Sequence, residues 1–348
     1  MLLTAEGVGL LGLAVILAGP APAALARASW PARSPRAALV LWQAVGLGGG
    51  LAILGAGLTL AVSGLHRSWL AGLHALPRAA ADGLGLGRPG PHALRLGPLG
   101  WAGAGLAAVA GAWLLAVLAV STVRLTLARR AHRQRLDLLA DELAVSELPA
   151  SRPHRPGPVL AGPRPAAPRS AARVADNALT RVVLLDHPLA AAYCLPGVRP
   201  RIVLSRGVID ALSQPELCAV VSHERAHARG HHDLVIQPFR AWRQTFPFLP
   251  AGRSALAAVE LLIELAADNA ARRRGHREPL ASALRALAAA TAGDAAAAGA
   301  NTAGHGHIQE RERRLAGPQR PLPRVAATAI CAAAAILVCL PPAILLVS

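Results

Sequence analysis

The chain has 348 residues and a formal net charge of +17, and 53% of its residues are hydrophobic. That hydrophobic share is high for a soluble protein, so membrane-spanning segments are the first expectation. The positive charge does not indicate nucleic-acid binding, because only 16% of residues are charged and no stretch combines a basic patch with stacking aromatics. Four cysteines without a C-x-x-C spacing argue against a disulfide-stapled secreted domain.

Four apolar runs are each long enough to cross a hydrocarbon layer of roughly 30 Å. They cover residues 7–25, 38–65, 99–123 and 325–347. The first run does not match a secretory signal, because Glu6 precedes it and no basic residue does. We therefore predict a polytopic α-helical membrane protein with four transmembrane helices.

Arginine placement predicts the orientation of these spans. Three arginines and no acid occupy the short first loop, and five more open the segment after the third span. By the positive-inside rule, the long segment between the third and fourth spans lies in the cytoplasm. Four spans then place both termini outside, in a multi-pass protein of the cell membrane.

The segment 124–324 is the soluble part of the chain, because it holds 29 of the 36 arginines and 17 of the 19 acids. Two β-branched runs, 181–186 and 201–205, predict strands of a small sheet. The chain then divides into a three-span region (1–123), a juxtamembrane helix with a Pro/Arg-rich linker (124–173), a folded α+β domain (174–300), a polar and partly disordered linker (301–324) and the fourth span (325–348).

A capped helix is predicted to follow the second strand. Ser213 with Glu216 three residues later is a capping-box pattern that begins a helix. Leu217, Val220 and Val221 form its apolar stripe, and Gly230 ends it.

This helix carries the pattern H-E-x-x-H at His223, Glu224 and His227. Because residues i and i+4 share one helix face, the two histidines can bind one tetrahedral metal ion. Glu224 is then placed to take a proton from water that the metal activates.

A second helix, over about residues 254–274, offers a third ligand. Glu264 would complete a zinc site of two histidines and one glutamate, which leaves a fourth position open to water. Asp268, one turn further on, can accept the free N–H of a ligating histidine and fix its tautomer. The simpler alternative is that Glu264 and Asp268 are helix-face acids paired with the arginines at 272–274.

The segments His223–Asp233 and Glu264–Asp268 resemble the BlaR/MecR-type membrane zinc metallopeptidases and, more distantly, the HtpX-like ones. Residues 192–207 resemble the segment that precedes the zinc helix in that family. The resemblance covers about residues 180–275, together with a layout of three spans, a cytoplasmic protease loop and a fourth span.

The resemblance implies a cytoplasmic gluzincin-type zinc metalloendopeptidase domain at 174–300. It implies a Zn²⁺ cofactor bound by His223, His227 and Glu264, with Glu224 as general base and Asp268 supporting a ligand. Antibiotic-sensing members carry a penicillin-binding sensor domain after the last span, and we expect none here, because the sequence ends at Ser348.

A peptidase also requires a donor that stabilises the oxyanion of the transition state. His232, Tyr193 and Arg240 are candidates for that role, and the sequence does not choose among them. From chain order, the predicted strand 201–205 is the candidate edge onto which an extended peptide adds.

By resemblance, the substrate is a cytosolic protein, either a winged-helix transcriptional repressor or the enzyme's own loop, and the function is antirepressor signal transduction. The other predicted partner is the lipid bilayer, with no direct binding of nucleic acid. The alternatives are a non-catalytic membrane signalling or scaffold protein with a structural or vestigial metal site, and a quality-control protease for membrane proteins.

A reporter that is active only in the cytosol tests the predicted orientation. Fused near Pro156 in the full-length chain, it should be active, because the arginine bias places this segment inside. The same reporter fused after Ser348 should be silent. The reverse pattern of activity would contradict the orientation.

Overall fold

The structure is a computed structural model. The residues that it describes are 2–65, 69–86, 96–143, 181–195, 200–298, 302–318 and 320–347. The predicted Pro/Arg-rich linker, at residues 149–168 of the segment 124–173, therefore lies outside the described residues.

The described chain forms two compact units. We call the first the span unit, and it comprises Met1–Val123, Ile236–Leu262 and Pro321–Ser348. We call the second the sheet unit, and it comprises Arg124–Val235 and Ile263–Arg320.

The span unit is built from long apolar helices. Four stretches are long and apolar enough to cross a membrane, namely Leu3–Arg27, Pro35–Ser63, Pro98–Arg124 and Arg324–Leu346. They agree with the four predicted runs. The helices are α1 (Leu2–Ala18), α2 (Pro20–Arg27), a 3-10 turn (Trp30–Arg33), α3 (Pro35–Ser63), α4 (Trp69–Gly83), α5 (Pro98–Leu139) and α12 (Arg324–Val347).

Glycines let these helices approach closely. A Cβ atom on Gly57 of α3 would lie 2.6 Å from the backbone nitrogen of Ala107 in α5, and one on Gly103 would lie 2.5 Å from the nitrogen of Ala61. Small residues are the usual means of bringing helix backbones together in lipid, where no hydrophobic effect drives helices together.

Two aromatic pairs attach the middle of the chain to the spans. Phe239 meets Trp42 of α3 edge to face, with ring centroids 6.0 Å apart, and Phe246 meets Trp113 of α5 at 5.3 Å. Such pairs contribute about 0.5–1.5 kcal/mol beyond the area that they bury. These contacts help to explain why residues 236–262 group with the spans.

The sheet unit contains four strands in the order β1-β2-β4-β3. The central pair, β2 and β4, is parallel, and both outer pairs are antiparallel. The two predicted strands are confirmed as β2 and β4, and the structure adds β1 and β3 on either side of them. Their bounds are β1 (Ala140–Leu143), β2 (Arg181–Leu185), β3 (Ala192–Leu195) and β4 (Arg201–Ser205).

The choice of 201–205 as an edge strand was wrong. This strand, β4, lies between β2 and β3, and Ile202, Val203 and Leu204 are fully buried. Among the described strands, β3 is the edge next to β4. Chain order alone does not predict strand order, because the parallel pairing of β2 with β4 places β4 inside the sheet.

Helices α6 (Arg206–Ala211) and α7 (Gln214–Arg229) follow β4. The predicted capping box begins α7, and the backbone N–H of Ser213 donates to Glu216 Oε2 at 2.7 Å. The predicted stripe of α7 packs on Ile202, Leu204 and other buried residues of the sheet. These predictions about α7 are confirmed.

The remaining helices are α8 (His232–Thr245), α9 (Pro250–Arg273), α10 (Arg277–Ala298) and α11 (Thr302–Ala316). The second predicted helix corresponds to α9. The segment 301–324 was expected to be partly disordered, yet it contains α11. Leu315 of α11 is buried beside Ala219, Ala271 and Leu280, which gives this helix an apolar attachment that its polar composition conceals.

Gly207→Ala should destabilise the sheet unit. A Cβ atom at this position would collide with the carbonyl oxygen of Pro188, because the two backbone segments touch here. We expect the free energy of unfolding to fall by about 1–3 kcal/mol. This loss is measured as a lower thermal midpoint of the detergent-solubilised full-length protein. Asp210→Ala, at an exposed site on the same helix, is the control and should change the midpoint little.

Candidate metal centre

Helix α7 holds His223 and His227 one turn apart. Their ring centroids lie 4.7 Å apart and their Nε2 atoms 3.0 Å apart. His223 is buried, with 6% of its surface exposed. Because the neighbouring apolar stripe of α7 is fixed against the sheet, the direction of this helix face is fixed as well.

Helix α9 brings a carboxylate to the same point. Glu264 Oε2 lies 3.3 Å from His223 Nε2, and Glu264 Oε1 lies 3.6 Å from His227 Nε2. The donor atoms of these three residues all lie within 4.8 Å of one another. A zinc ion with bonds of about 2.0–2.1 Å places tetrahedral donors about 3.3 Å apart. The three side chains therefore fit a zinc site.

Asp268 supports the first histidine. Its Oδ1 lies 2.9 Å from Nδ1 of His223, while Nε2 of the same ring faces the other two donors. Burial opposes the charged imidazole, but the hydrogen bonds to Asp268 and Glu264 outweigh it and raise the pKa of His223 to about 10. The simpler alternative, in which Glu264 and Asp268 pair with the arginines at 272–274, does not account for these contacts.

His232 supports the second histidine in the same way. The Nδ1 atoms of His232 and His227 lie 3.1 Å apart, and their rings meet edge to face. His231, at φ 45°, makes the turn between α7 and α8 that brings this ring back. Burial and the neighbouring His223 lower the pKa of His227 to about 3, so its ring is neutral. A histidine that binds a metal must be neutral, so His223, with its raised pKa, would have to release its Nε2 proton to bind a metal ion.

Glu224 lies beside this group on α7, and the backbone N–H of Cys194 in β3 donates to its carboxylate. Burial raises the pKa of Glu224 to about 7, although the positive charge of His223 opposes the shift. A carboxylate with a pKa near neutrality can both accept and return a proton, which is what a general base requires.

Arg311 of α11 is a component of the site that sequence reasoning missed. Its Nη1 lies 2.9 Å from Glu264 Oε2, and its Nε and Nη2 lie 2.9 and 2.8 Å from the two oxygens of Asp268. The one available signal was helical spacing, since Ile308, Arg311 and Leu315 recur at intervals of three and four residues.

The three candidates for the oxyanion donor are dispersed. His232 is buried against His227, as described. Tyr193 packs with Leu195 and Val203 on the face of the sheet opposite to the one that contacts α7. Arg240 is exposed on α8, in the part of that helix that belongs to the span unit. Of the three candidates, His232 lies against a candidate metal ligand, whereas Tyr193 packs on the other face of the sheet.

Residues 165–289 match the family model of Peptidase family M48. The match contains both histidines, Glu224, Glu264 and Asp268, but it ends before Arg311. It supports an M48-family metallopeptidase and, with the four apolar helices, one associated with a membrane. No curated protein and no solved structure matches the chain significantly. The closer BlaR/MecR-type or HtpX-like assignment stays a prediction.

The Cys194 thiol should resist alkylation in the folded protein. Burial, with the charge of Glu224 second, raises its pKa to about 12 from a usual value of 9.0. At pH 8 its thiolate should be about a thousandfold rarer than that of an ordinary thiol, so iodoacetamide should leave it unmodified in mass spectra. A urea-unfolded sample is the control, and rapid labelling of Cys194 before unfolding would contradict the prediction.

Proposed function

We propose that this protein is a membrane-bound zinc endopeptidase. One observation supports the proposal above all: two histidines one turn apart on α7 and a glutamate of α9 converge within zinc-ligand distance, with Glu224 beside them. Structural zinc sites are usually closed by four Cys or His ligands, whereas three ligands with an open position are typical of catalytic sites.

The residues divide the chemistry between them. Zinc held by His223, His227 and Glu264 would supply a Lewis acid that polarises the scissile carbonyl and activates water near neutral pH. Glu224 removes the proton of the attacking water and passes it to the leaving amine, for which its raised pKa is suited. Asp268 and His232 keep the two histidine rings in the required tautomers.

An extended peptide adds to β3 in this proposal. This strand is the edge next to β4, and its Cys194 already donates a backbone hydrogen bond to Glu224. Pairing along β3 would bring the peptide backbone alongside the general base, with main-chain hydrogen bonds that do not depend on substrate sequence.

We propose further that the four apolar helices cross the cell membrane, with both termini outside and the sheet unit at the cytoplasmic face. The arginine distribution supports this orientation. The substrate would be a cytosolic protein, either a winged-helix repressor or the enzyme's own loop, in antirepressor signalling. The resemblance to BlaR/MecR-type peptidases is the support for that substrate.

Glu224→Gln separates this function from a non-catalytic signalling role. The amide cannot accept the proton, so casein hydrolysis by the zinc-loaded, detergent-solubilised full-length protein should fall by about 10²- to 10⁴-fold. Its zinc content, measured by atomic absorption, should equal that of the wild type, because Glu224 is not a ligand.

Two further variants complete this test. Glu278→Gln, an exposed position on α10, is the matched control and should retain activity. His223→Ala should lose zinc and activity together. Full hydrolysis by zinc-loaded Glu224→Gln would refute the mechanism, and a wild type without zinc would refute the metal assignment.

A further inference from the structure

Arg311 contacts two carboxylates of α9, those of Glu264 and Asp268, with all three of its guanidinium nitrogens. Nε and Nη2 form a two-pronged contact with Asp268, at 2.9 and 2.8 Å, while Nη1 reaches Glu264 Oε2 at 2.9 Å. Only 11% of the Arg311 side chain is exposed. A fork of this kind fixes the plane of a carboxylate as well as its charge, which a single ammonium group cannot do.

The fold imposes this position on Arg311. Leu315, one turn further along α11, is buried in a cluster with residues of α7, α9 and α10. Arg277 of α10 also binds the end of α11, where its guanidinium donates to the carbonyl oxygens of Leu315, Ala316 and Gly317 at 2.7 to 2.9 Å. The last turn of α11 is therefore held in two ways, by the apolar packing of Leu315 and by the hydrogen bonds from Arg277.

Through these contacts, one side chain reaches two of the three metal-binding residues. Arg311 binds Glu264 directly, and it binds Asp268, whose Oδ1 also lies 2.9 Å from Nδ1 of His223. Rotation of the Glu264 carboxylate would therefore break its contact with Arg311. Rotation of the His223 ring would break its contact with Asp268, which Arg311 binds.

We propose that Arg311 is a positioning residue of the zinc site. It orients Glu264 directly and His223 through Asp268. This proposal rests on the zinc peptidase function proposed above. It places a required part of the site on α11, outside the residues that match the M48 family model. A chain cut at the end of that match would retain all three ligands but lose the residue that orients two of them.

Zinc affinity of the full-length protein, measured in detergent by competition with a chromophoric chelator, tests the proposal. Arg311→Lys and Arg311→Gln should each weaken zinc binding by about 10- to 100-fold, because supporting residues of this kind typically contribute that much. The lysine variant should not rescue affinity, since it retains the charge but loses the fork. The visible spectrum of the cobalt(II)-substituted variants should also shift, because ligand geometry changes.

Arg313 provides the matched control on the same helix. It is 73% exposed and pairs with Glu310 at 3.5 Å, so Arg313→Lys and Arg313→Gln should bind zinc within about twofold of the wild type. Wild-type affinity in both Arg311 variants, or full rescue by lysine, would overturn the proposal. Loss of the helical circular dichroism signal in both would show that Arg311 maintains the fold instead, and would also overturn it. A wild type that binds no zinc would refute the proposed function itself.

Discussion

Two neighbouring carboxylates on one helix, Asp268 buried and Glu264 half-buried, set an electrostatic constraint on the sheet unit. Glu264 and Asp268 lie one turn apart on α9, and like charges at that spacing repel, especially away from water. His223 from α7 and Arg311 from α11 supply the compensating positive charges at 2.8 to 3.3 Å. Burial disfavours both anions, yet these partners lower the pKa of each carboxyl below its usual range. Three helices therefore contribute side chains to one charge network.

Apolar packing around that network fixes the positions of the helices that carry its charged side chains. On one side, the stripe of α7 packs against buried β-branched and leucine side chains of the sheet. On the other, Ala219 of α7 lies in a second cluster with Ala271, Leu280 and Leu315, which belong to α9, α10 and α11. Because Ala219 and Ala271 are fully buried and small, the helices approach closely enough for short polar contacts. Packing thus holds the helices at the separation that the ligands require.

Local pattern was sufficient to predict α7, which carries two of the three candidate metal ligands, and most of α9, which carries the third. The capping box, apolar stripe and i, i+4 histidines all act within α7, so their consequences can be derived without knowing the fold. The four apolar runs could also be predicted from the sequence, since length and hydropathy are properties of each segment alone. Strand order was not, because β4 is an interior strand only through its parallel pairing with β2 across some twenty residues of chain.

The sequence by itself determined the composition of the candidate metal centre: two histidines and a glutamate at fixed helical spacing, and a third candidate ligand on a later helix. Tertiary structure decided what surrounds them. Asp268 had a plausible role from spacing, but His232 turned out to contact His227, and Arg311 entered from a segment expected to be partly disordered. The physical reason is range: helical periodicity specifies neighbours within a few residues, whereas Arg311 meets Asp268 across 43 residues of chain, through burial that no local pattern records.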